Sequence, residues 1–310
     1  MARHPIVRIT LIVLVLGFII AEICLRQIWG LGEMLLFESD TGYEYIAKPN
    51  QDTRRFGSRI ISNEYSMRSL PLAESDSCIV LGFGDSVING GALTDQDSLA
   101  TTIVEQKLQH DESKAFRFLN ISAGSWAPDN CAAYLAKHGS FNAKMIILFV
   151  SSHDARDNMT FEPIVGVHPS YPDKQYPLAS IELFDRYLWP RLLGLMHPAP
   201  PPNDSLLISK EGDEFNPGFQ KFKDYAEKNA IPLIVCLHAD MMEVKQGKFN
   251  SQGEEILAFC ARNNINVISG LQIGEDEHDF RDDIHINESG QKRWAKALLA
   301  EIKEKLTDCI

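Results

Sequence analysis

The 310-residue sequence lacks the features of three common protein classes. Its 30 basic residues form no concentrated run and are outnumbered by 42 acidic ones, so the formal net charge is -12. A nucleic-acid binder needs a basic face to neutralise phosphates, and we therefore expect no nucleic-acid partner. The six cysteines show no Cys-x-x-Cys spacing, which predicts neither a metal site nor another cofactor. No extended apolar segment beyond the amino terminus suggests an acyl-chain groove, which disfavours a lipase.

The cysteines divide into two groups by their surroundings. Cys78 and Cys236 lie inside apolar runs that are typical of buried strands. In such runs a thiol packs as a small hydrophobic group, and we expect that role for both residues. A disulfide among the remaining four cysteines stays open.

The amino terminus contains the features of a membrane anchor. Residues 9–25 are almost entirely apolar, with Glu22 as the only charge. Crossing a bilayer takes roughly 20 residues, and the apolar side chains among residues 27–37 can extend the helix to the interface. We therefore expect an anchor over residues 1–38.

A cleaved signal peptide is the alternative for this segment. The run is long for a signal peptide, and the stretch ending at Cys24 lacks small residues at both positions that a signal peptidase reads. Basic residues before the run place the short tail in the cytoplasm and the rest of the chain outside it, although Arg26 weakens this asymmetry. We expect a single-pass protein whose catalytic domain lies outside the cytoplasm.

The rest of the chain alternates between strand and helix signals. Residues 39–75 are polar and rich in turn formers, and we expect a short preface of strands or loops there. Predicted strands follow at 78–83, 116–121, 145–150, 232–237 and 267–268. Predicted helices lie near 98–109, 130–138, 218–229, 254–263 and 289–305. This alternation predicts an α/β domain over residues 76–310, with a mostly parallel sheet covered on both faces.

The stretch at about 155–210 breaks this alternation because it is rich in proline and aromatic residues. We interpret it as an insertion over the active face, and an ordinary surface excursion is the alternative. Its aromatic residues either stack on sugar rings or form a satellite core. They include Phe161, Tyr171, Tyr176 and Trp189.

Chemistry is first indicated where the first predicted strand ends, at Gly82-Phe83-Gly84-Asp85-Ser86. Ligands bind at the carboxyl ends of the strands in such sheets. Glycine before the serine allows a tight turn, and the Gly-rich segment after it leaves backbone N–H groups free to face an anion. On its own, the triplet Gly84-Asp85-Ser86 is equally typical of an ordinary turn.

A second element, Asp282-Asp283-Ile284-His285, immediately precedes the last predicted helix. A histidine can take a serine proton, and a carboxylate three residues earlier can hold the imidazole in the useful tautomer. A solvated acidic loop is the alternative, since several other acidic residues lie nearby.

In order and spacing the two elements resemble the SGNH/GDSL hydrolase family, over about residues 76–305. The resemblance implies a flavodoxin-like three-layer α/β/α sandwich. It also implies that Ser86 is the nucleophile, His285 the general base and Asp282 its orienting partner. Asp283 is the weaker candidate for this partner, because it precedes His285 by two residues instead of three.

The resemblance further implies an oxyanion hole formed by Ser86, Gly124 and His153. Gly124 follows the second predicted strand and matches the family's second block. His153 follows the third strand, where the family usually has asparagine. A neutral imidazole can still donate one N–H group, but a second base or a local hydrogen bond are alternatives, and Asn158 is another candidate for the displaced polar group.

We therefore expect a membrane-anchored serine esterase that needs no cofactor. A domain outside the cytoplasm meets glycans first, so O-acetyl groups on carbohydrate or exopolysaccharide at the cell envelope are the expected ester substrate. Two alternatives remain. One is an O-acetyltransferase using the same site, and the other is a non-catalytic envelope protein of polysaccharide assembly.

Overall fold

The computed structural model describes residues 5–111, 115–196, 208, 210–307 and 309. Its first element is helix α1 (Pro5–Trp29). Residues Ile6–Trp29 are long and apolar enough to cross a membrane, a property that signal sequences share. The helix ends because Gly30 adopts a left-handed conformation with φ of 67°, and a Cβ atom there would lie 1.7 Å from the Arg54 carbonyl oxygen.

The expected extension of this helix as far as Phe37 is wrong. The turn at Gly30 directs the following residues onto the rest of the protein, where Leu31 and Met34 are buried. Their apolar side chains therefore belong to the folded domain and not to a membrane interface.

Two antiparallel hairpins form the preface. The first pairs β1 (Phe37–Asp40) with β2 (Glu44–Ala47), and the second pairs β3 (Gln51–Arg55) with β4 (Ser58–Ser62). Tyr43, Tyr45 and Ile46 are buried in the core that covers one face of the main sheet. The first hairpin is thus packed into the α/β domain.

The main sheet has five parallel strands. They are β5 (Cys78–Gly84), β6 (Phe116–Ser122), β7 (Met145–Ser151), β8 (Leu233–His238) and β9 (Asn266–Ser269). Their spatial order is β6-β5-β7-β8-β9, which is the flavodoxin-like order. The predicted fold class is therefore confirmed.

Helices cover both faces of this sheet. The helices of the described residues after α1 are, in chain order, α2 (Ser86–Asn89), α3 (Ala100–Asp111), α4 (Pro128–His138), α5 (Ala179–Glu182), α6 (Trp189–Met196), α7 (Gly218–Asn229), α8 (Met241–Gln246), α9 (Ser251–Arg262), α10 (Gly270–Ile273) and α11 (Glu288–Lys305). Side chains of α3 and α11 pack into one core cluster, and those of α4, α7 and α9 into the other. Alternate residues of β5 point to opposite faces, so Leu81 joins one cluster and Val80 the other.

The insertion contains a helical segment that the sequence did not predict. A π-helical stretch, Leu183–Leu188, joins α5 to α6, so residues 179–196 run as one helix. We call these residues the insertion helix. The run of prolines from Pro198 to Pro202 lies outside the described residues.

The predicted role of Cys78 as a plain buried thiol is wrong, because Cys78 forms a disulfide with Cys309. Cys309 lies four residues beyond α11, and its Cα atom is 5.7 Å from that of Cys78 at the start of β5. Cys236 is a buried free thiol, as expected.

Candidate active site

Ser86 follows the carboxyl end of β5, an interior strand of the sheet, as the first residue of α2. The Asp85 carboxylate caps this helix by accepting the Val87 N–H at 2.8 Å. Gly84 permits the turn, because a Cβ atom there would lie 2.8 Å from the Ile88 side chain and 3.0 Å from the Phe149 carbonyl oxygen. The serine is therefore held at a tight strand-to-helix turn whose first N–H groups have no partner within the helix.

His285 joins Ser86 to Asp282. Its Nε2 atom lies 2.9 Å from Ser86 Oγ, and its Nδ1 atom lies 2.9 Å from each oxygen of Asp282. Asp282 Oδ1 also accepts the backbone N–H of His285 at 2.7 Å. Burial opposes ionisation of Asp282, but these N–H groups and the imidazole lower its pKa, so the carboxylate stays charged.

Asp283 is turned away from this arrangement. Its backbone carbonyl accepts the Met241 N–H at 2.8 Å, which ties the loop to the start of α8. Of the two adjacent aspartates, the one with the three-residue spacing is thus the one that contacts the imidazole.

A second histidine holds the loop that carries His285. His238, at the end of β8, contacts Glu275 Oε1 through Nδ1 at 2.6 Å and the Ile284 carbonyl through Nε2 at 2.7 Å. Burial opposes its charged form, but the Glu275 carboxylate raises the pKa of His238 to about 9. Both ring nitrogens therefore donate, and neither is free to act as a base toward Ser86. Sequence reasoning missed this residue, because its partners lie 37 and 46 positions away.

Gly124 lies beyond the end of β6 and lines the same cavity as Ser86. Its carbonyl accepts the Tyr45 hydroxyl at 2.9 Å. A Cβ atom at this position would lie 2.7 Å from Tyr171 Oη, so the site has no room for a larger residue. Tyr171 is buried, and the sequence pattern predicted it only as one of the aromatic residues of the insertion.

His153 follows β7 in the 3-10 turn Ser152–Ala155 and lines the cavity with Ser86 and His285. Its Nε2 atom lies 3.9 Å from Asp85 Oδ2 and 4.0 Å from Asp157 Oδ2. Burial opposes protonation, but these carboxylates and Asp154 raise the pKa of His153. The ring is therefore more suited to donating N–H bonds than to accepting a proton.

Asn158 does not take part in this arrangement. Its side chain donates to the Arg156 carbonyl at 2.8 Å, and its backbone N–H donates to the Lys210 carbonyl. The amide is thus engaged in holding the insertion, and the structure does not bring it to Ser86 in place of His153.

Within the part of the chain that the structure describes, the side chains that could hold a cation are Asp85, His153 and Asp154, whose potential ligand atoms lie within 4.8 Å of one another. Asp154 Oδ1 is buried and has no hydrogen-bond partner among the described residues. Burial and the Asp85 carboxylate raise the pKa of Asp154, while the neighbouring His153 lowers it.

Two cavities meet at Ser86 and Gly124. The first, of about 300 Å³, is lined by preface and insertion residues. These include Met34, Phe37, Arg55, Ile60, Arg186 and Tyr187. The second, of about 770 Å³, contains His153, Asp157, Lys210 and His285. The preface was expected outside the catalytic domain, yet it forms one wall of the site.

Lys210 is a site residue that the sequence did not reveal. It is buried against the Glu44 carboxylate and also contacts Asn130 Oδ1 at 3.3 Å. The ion pair joins the end of the insertion to the preface hairpin and fixes one wall of the second cavity. Nothing in the local sequence around either residue signals this pairing.

If His153 donates to the oxyanion, its loss has a defined cost. We expect His153→Ala to lower kcat by about 10²- to 10³-fold, the usual effect of removing one such donor. His153→Asn, which restores an amide donor, is expected to keep most of the activity. Steady-state kinetics with a soluble ester measures both variants. Full activity in His153→Ala would exclude the residue from the oxyanion hole.

No protein-family model matches the chain, and no curated protein matches it. Among solved structures, 63 chains match. An acetyl xylan esterase is 15% identical with a TM-score of 0.43, and the match covers 72% of this chain and 99% of that one. A member of the lipolytic G-D-S-L family from Veillonella parvula is 15% identical with a TM-score of 0.40, covering 72% and 97%.

A lipase/acylhydrolase from Enterococcus faecalis is 12% identical with a TM-score of 0.44, covering 73% of this chain and 96% of that one. At these identities the likeness concerns the fold and assigns no activity. The solved structures to which this chain is similar thus include a G-D-S-L protein, the kind of protein that its sequence motifs resemble.

Proposed function

We propose that the chain is a membrane-anchored serine esterase of the SGNH/GDSL type. The observation that carries the proposal is the continuous contact from Ser86 Oγ to His285 Nε2 and from His285 Nδ1 to Asp282, each at 2.9 Å. The hydroxyl is thus hydrogen bonded to a base, and the base to an orienting carboxylate, although Ser86 and His285 are 199 positions apart in the chain.

In the proposed mechanism Ser86 Oγ attacks the ester carbonyl while His285 takes its proton. His285 then gives this proton to the leaving alcohol, and an acyl-serine remains. Water attacks the acyl group, again with His285 as the base, and releases the acid. Asp282 stays ionised throughout and stabilises the imidazolium.

The oxyanion of each tetrahedral intermediate needs donors on the side opposite His285. We assign this role to the backbone N–H groups of Ser86 and Gly124 and to the ring of His153. All three residues line the cavity that contains His285. Their positions are fixed before substrate binds, and such preorganised donors are effective because they need no reorganisation during the reaction.

For the natural substrate we propose O-acetyl groups on carbohydrate at the cell envelope. Two features support a location outside the cytoplasm. Helix α1 is long enough to anchor the chain, and the Cys78–Cys309 disulfide is of a kind that persists in oxidising compartments. A tethered esterase there meets envelope glycans before other esters.

The proposal is tested by following the acetyl group. The full-length protein is incubated with an acetylated glycan or with 4-nitrophenyl acetate, in the presence of a free saccharide. We expect release of acetate from both donors and no acetyl group on the saccharide. Transfer to the saccharide would identify an O-acetyltransferase. Neither release nor transfer, together with no labelling of Ser86 by a fluorophosphonate, would identify a non-catalytic protein.

A further inference from the structure

The insertion helix exposes a row of large apolar side chains. The row consists of Ile181, Phe184, Leu188, Leu192 and Leu195, spaced three or four residues apart, with Trp189 beside it. Each of these side chains is more than 40% exposed, and Leu195 reaches 82%. A contiguous apolar face of this kind on a protein surface usually marks a contact with a partner or a membrane. We call this row the apolar stripe.

Polar contacts on the opposite side fix the orientation of the stripe. Glu182 is buried and pairs with Arg55 at 2.6 Å. It also accepts the Gly32 N–H at 2.5 Å, and Arg55 contacts the Tyr187 hydroxyl at 3.2 Å. The helix is therefore attached to the preface by one face and cannot turn its apolar stripe inward.

The beginning of the insertion helix is bound to α1. Glu22 accepts the N–H groups of Ala179 at 2.5 Å and Ser180 at 3.0 Å. Arg26 pairs with Glu22 at 3.0 Å and donates to the Pro177 carbonyl at 3.2 Å. A charge inside an apolar span is costly unless it is paired, and Glu22 finds its partners in the insertion helix and in Arg26.

These contacts also define how deep the start of the insertion helix lies relative to the membrane span of α1. Glu22 precedes Trp29, the last residue of α1, by seven positions, which is roughly 10 Å along a helix axis. If α1 spans a bilayer, the start of the insertion helix therefore lies roughly 10 Å deeper in the membrane than Trp29. Amphipathic helices at membrane surfaces bury their apolar face to about 5–10 Å.

We propose that the insertion helix lies in the outer interface of the bilayer that α1 spans, with its apolar stripe among the lipid chains. We assign the lipid surface as the partner of the stripe, because the stripe begins beside α1, whose apolar side chains are exposed as well. Arg186 and Tyr187 of the same helix line the cavity that reaches Ser86. Where the proposed function holds, membrane docking therefore also places this cavity at the lipid surface.

Fluorescence of Trp189 tests the docking. The full-length protein is reconstituted into phosphatidylcholine vesicles with brominated acyl chains, which quench tryptophans that contact them. The single variant Trp29→Phe is compared with the double variant Trp29→Phe/Trp189→Phe. Both keep the buried Trp126 and Trp294, so their fluorescence differs only by the signal of Trp189. We expect the brominated lipid to quench the fluorescence of Trp189 strongly. An unquenched Trp189 signal that aqueous iodide reduces would overturn the proposal.

A charge on the stripe provides the second test. In the Trp29→Phe background we expect Phe184→Glu to abolish the lipid quenching of Trp189. Ala258→Glu, an added charge on the exposed side of α9, should leave it intact. Equal quenching in both variants would contradict membrane docking.

Turnover of a soluble short-chain ester is measured in parallel and should be unchanged in both variants. Absence of soluble turnover in the parent, with quenching intact, would overturn the proposed function and leave the docking supported.

Discussion

Replacing Ser86 by alanine is expected to abolish ester hydrolysis, with kcat falling on the order of 10⁴- to 10⁶-fold. The hydroxyl is the group that His285 Nε2 contacts at 2.9 Å, and no acyl-serine can form without it. The residual rate would come from the oxyanion donors and from substrate binding. Steady-state kinetics with a soluble ester measures the loss.

The control for Ser86→Ala is a measurement of its folding stability. Ser86 Oγ makes its contact with a side chain in a partly open site, so the thermal unfolding midpoint should hardly change. A fluorophosphonate should label the wild-type protein once and the variant not at all. Undiminished labelling of Ser86→Ala would show that another residue is the nucleophile.

Asp282→Asn is expected to lower kcat by about 10³- to 10⁴-fold, which is the effect of losing the orienting carboxylate in such a triad. The asparagine can still hydrogen bond to the ring, but it favours the wrong tautomer and leaves the imidazolium without a counter-charge. KM should change little, since the carboxylate lies behind the imidazole and away from Ser86.

The adjacent residue provides a matched control. Asp283→Asn removes the same charge one position away and keeps the backbone carbonyl that binds Met241 N. We expect its kcat to remain within about twofold of the wild-type value, since charge changes on an exposed loop are usually small in effect. Equal losses in the two variants would mean that the acidic loop acts through its overall charge and that Asp282 has no specific role.

The positions of the triad residues follow from local sequence signals. Gly84 and Ser86 end one apolar run, and Asp282 and His285 precede an amphipathic helix. In a parallel sheet the carboxyl ends of the strands meet at one edge, so such segments come together although they are far apart in the chain. The strands could also be predicted from local signals, because buried parallel strands are continuous apolar runs. The flavodoxin-like arrangement of the strands was implied by the family resemblance.

The remaining features depend on contacts that no local pattern records. The pairing of Cys78 with Cys309 requires the chain beyond α11 to meet the start of β5. The buried pair of Lys210 with Glu44 similarly joins two polar segments that each resemble surface loops. The helix at residues 179–196 was hidden by the prolines and aromatics around it, and its apolar stripe was visible only once the helix was known.

The Cys78–Cys309 bond closes a covalent ring whose ends are 231 residues apart. Ser86, Asp282 and His285 all lie within that ring. A single proteolytic cut at any loop between them would therefore open the ring without breaking the covalent connection between Ser86 and His285. Such a nicked protein would stay one molecule under denaturing conditions, and adding a reductant under those conditions would separate its two pieces.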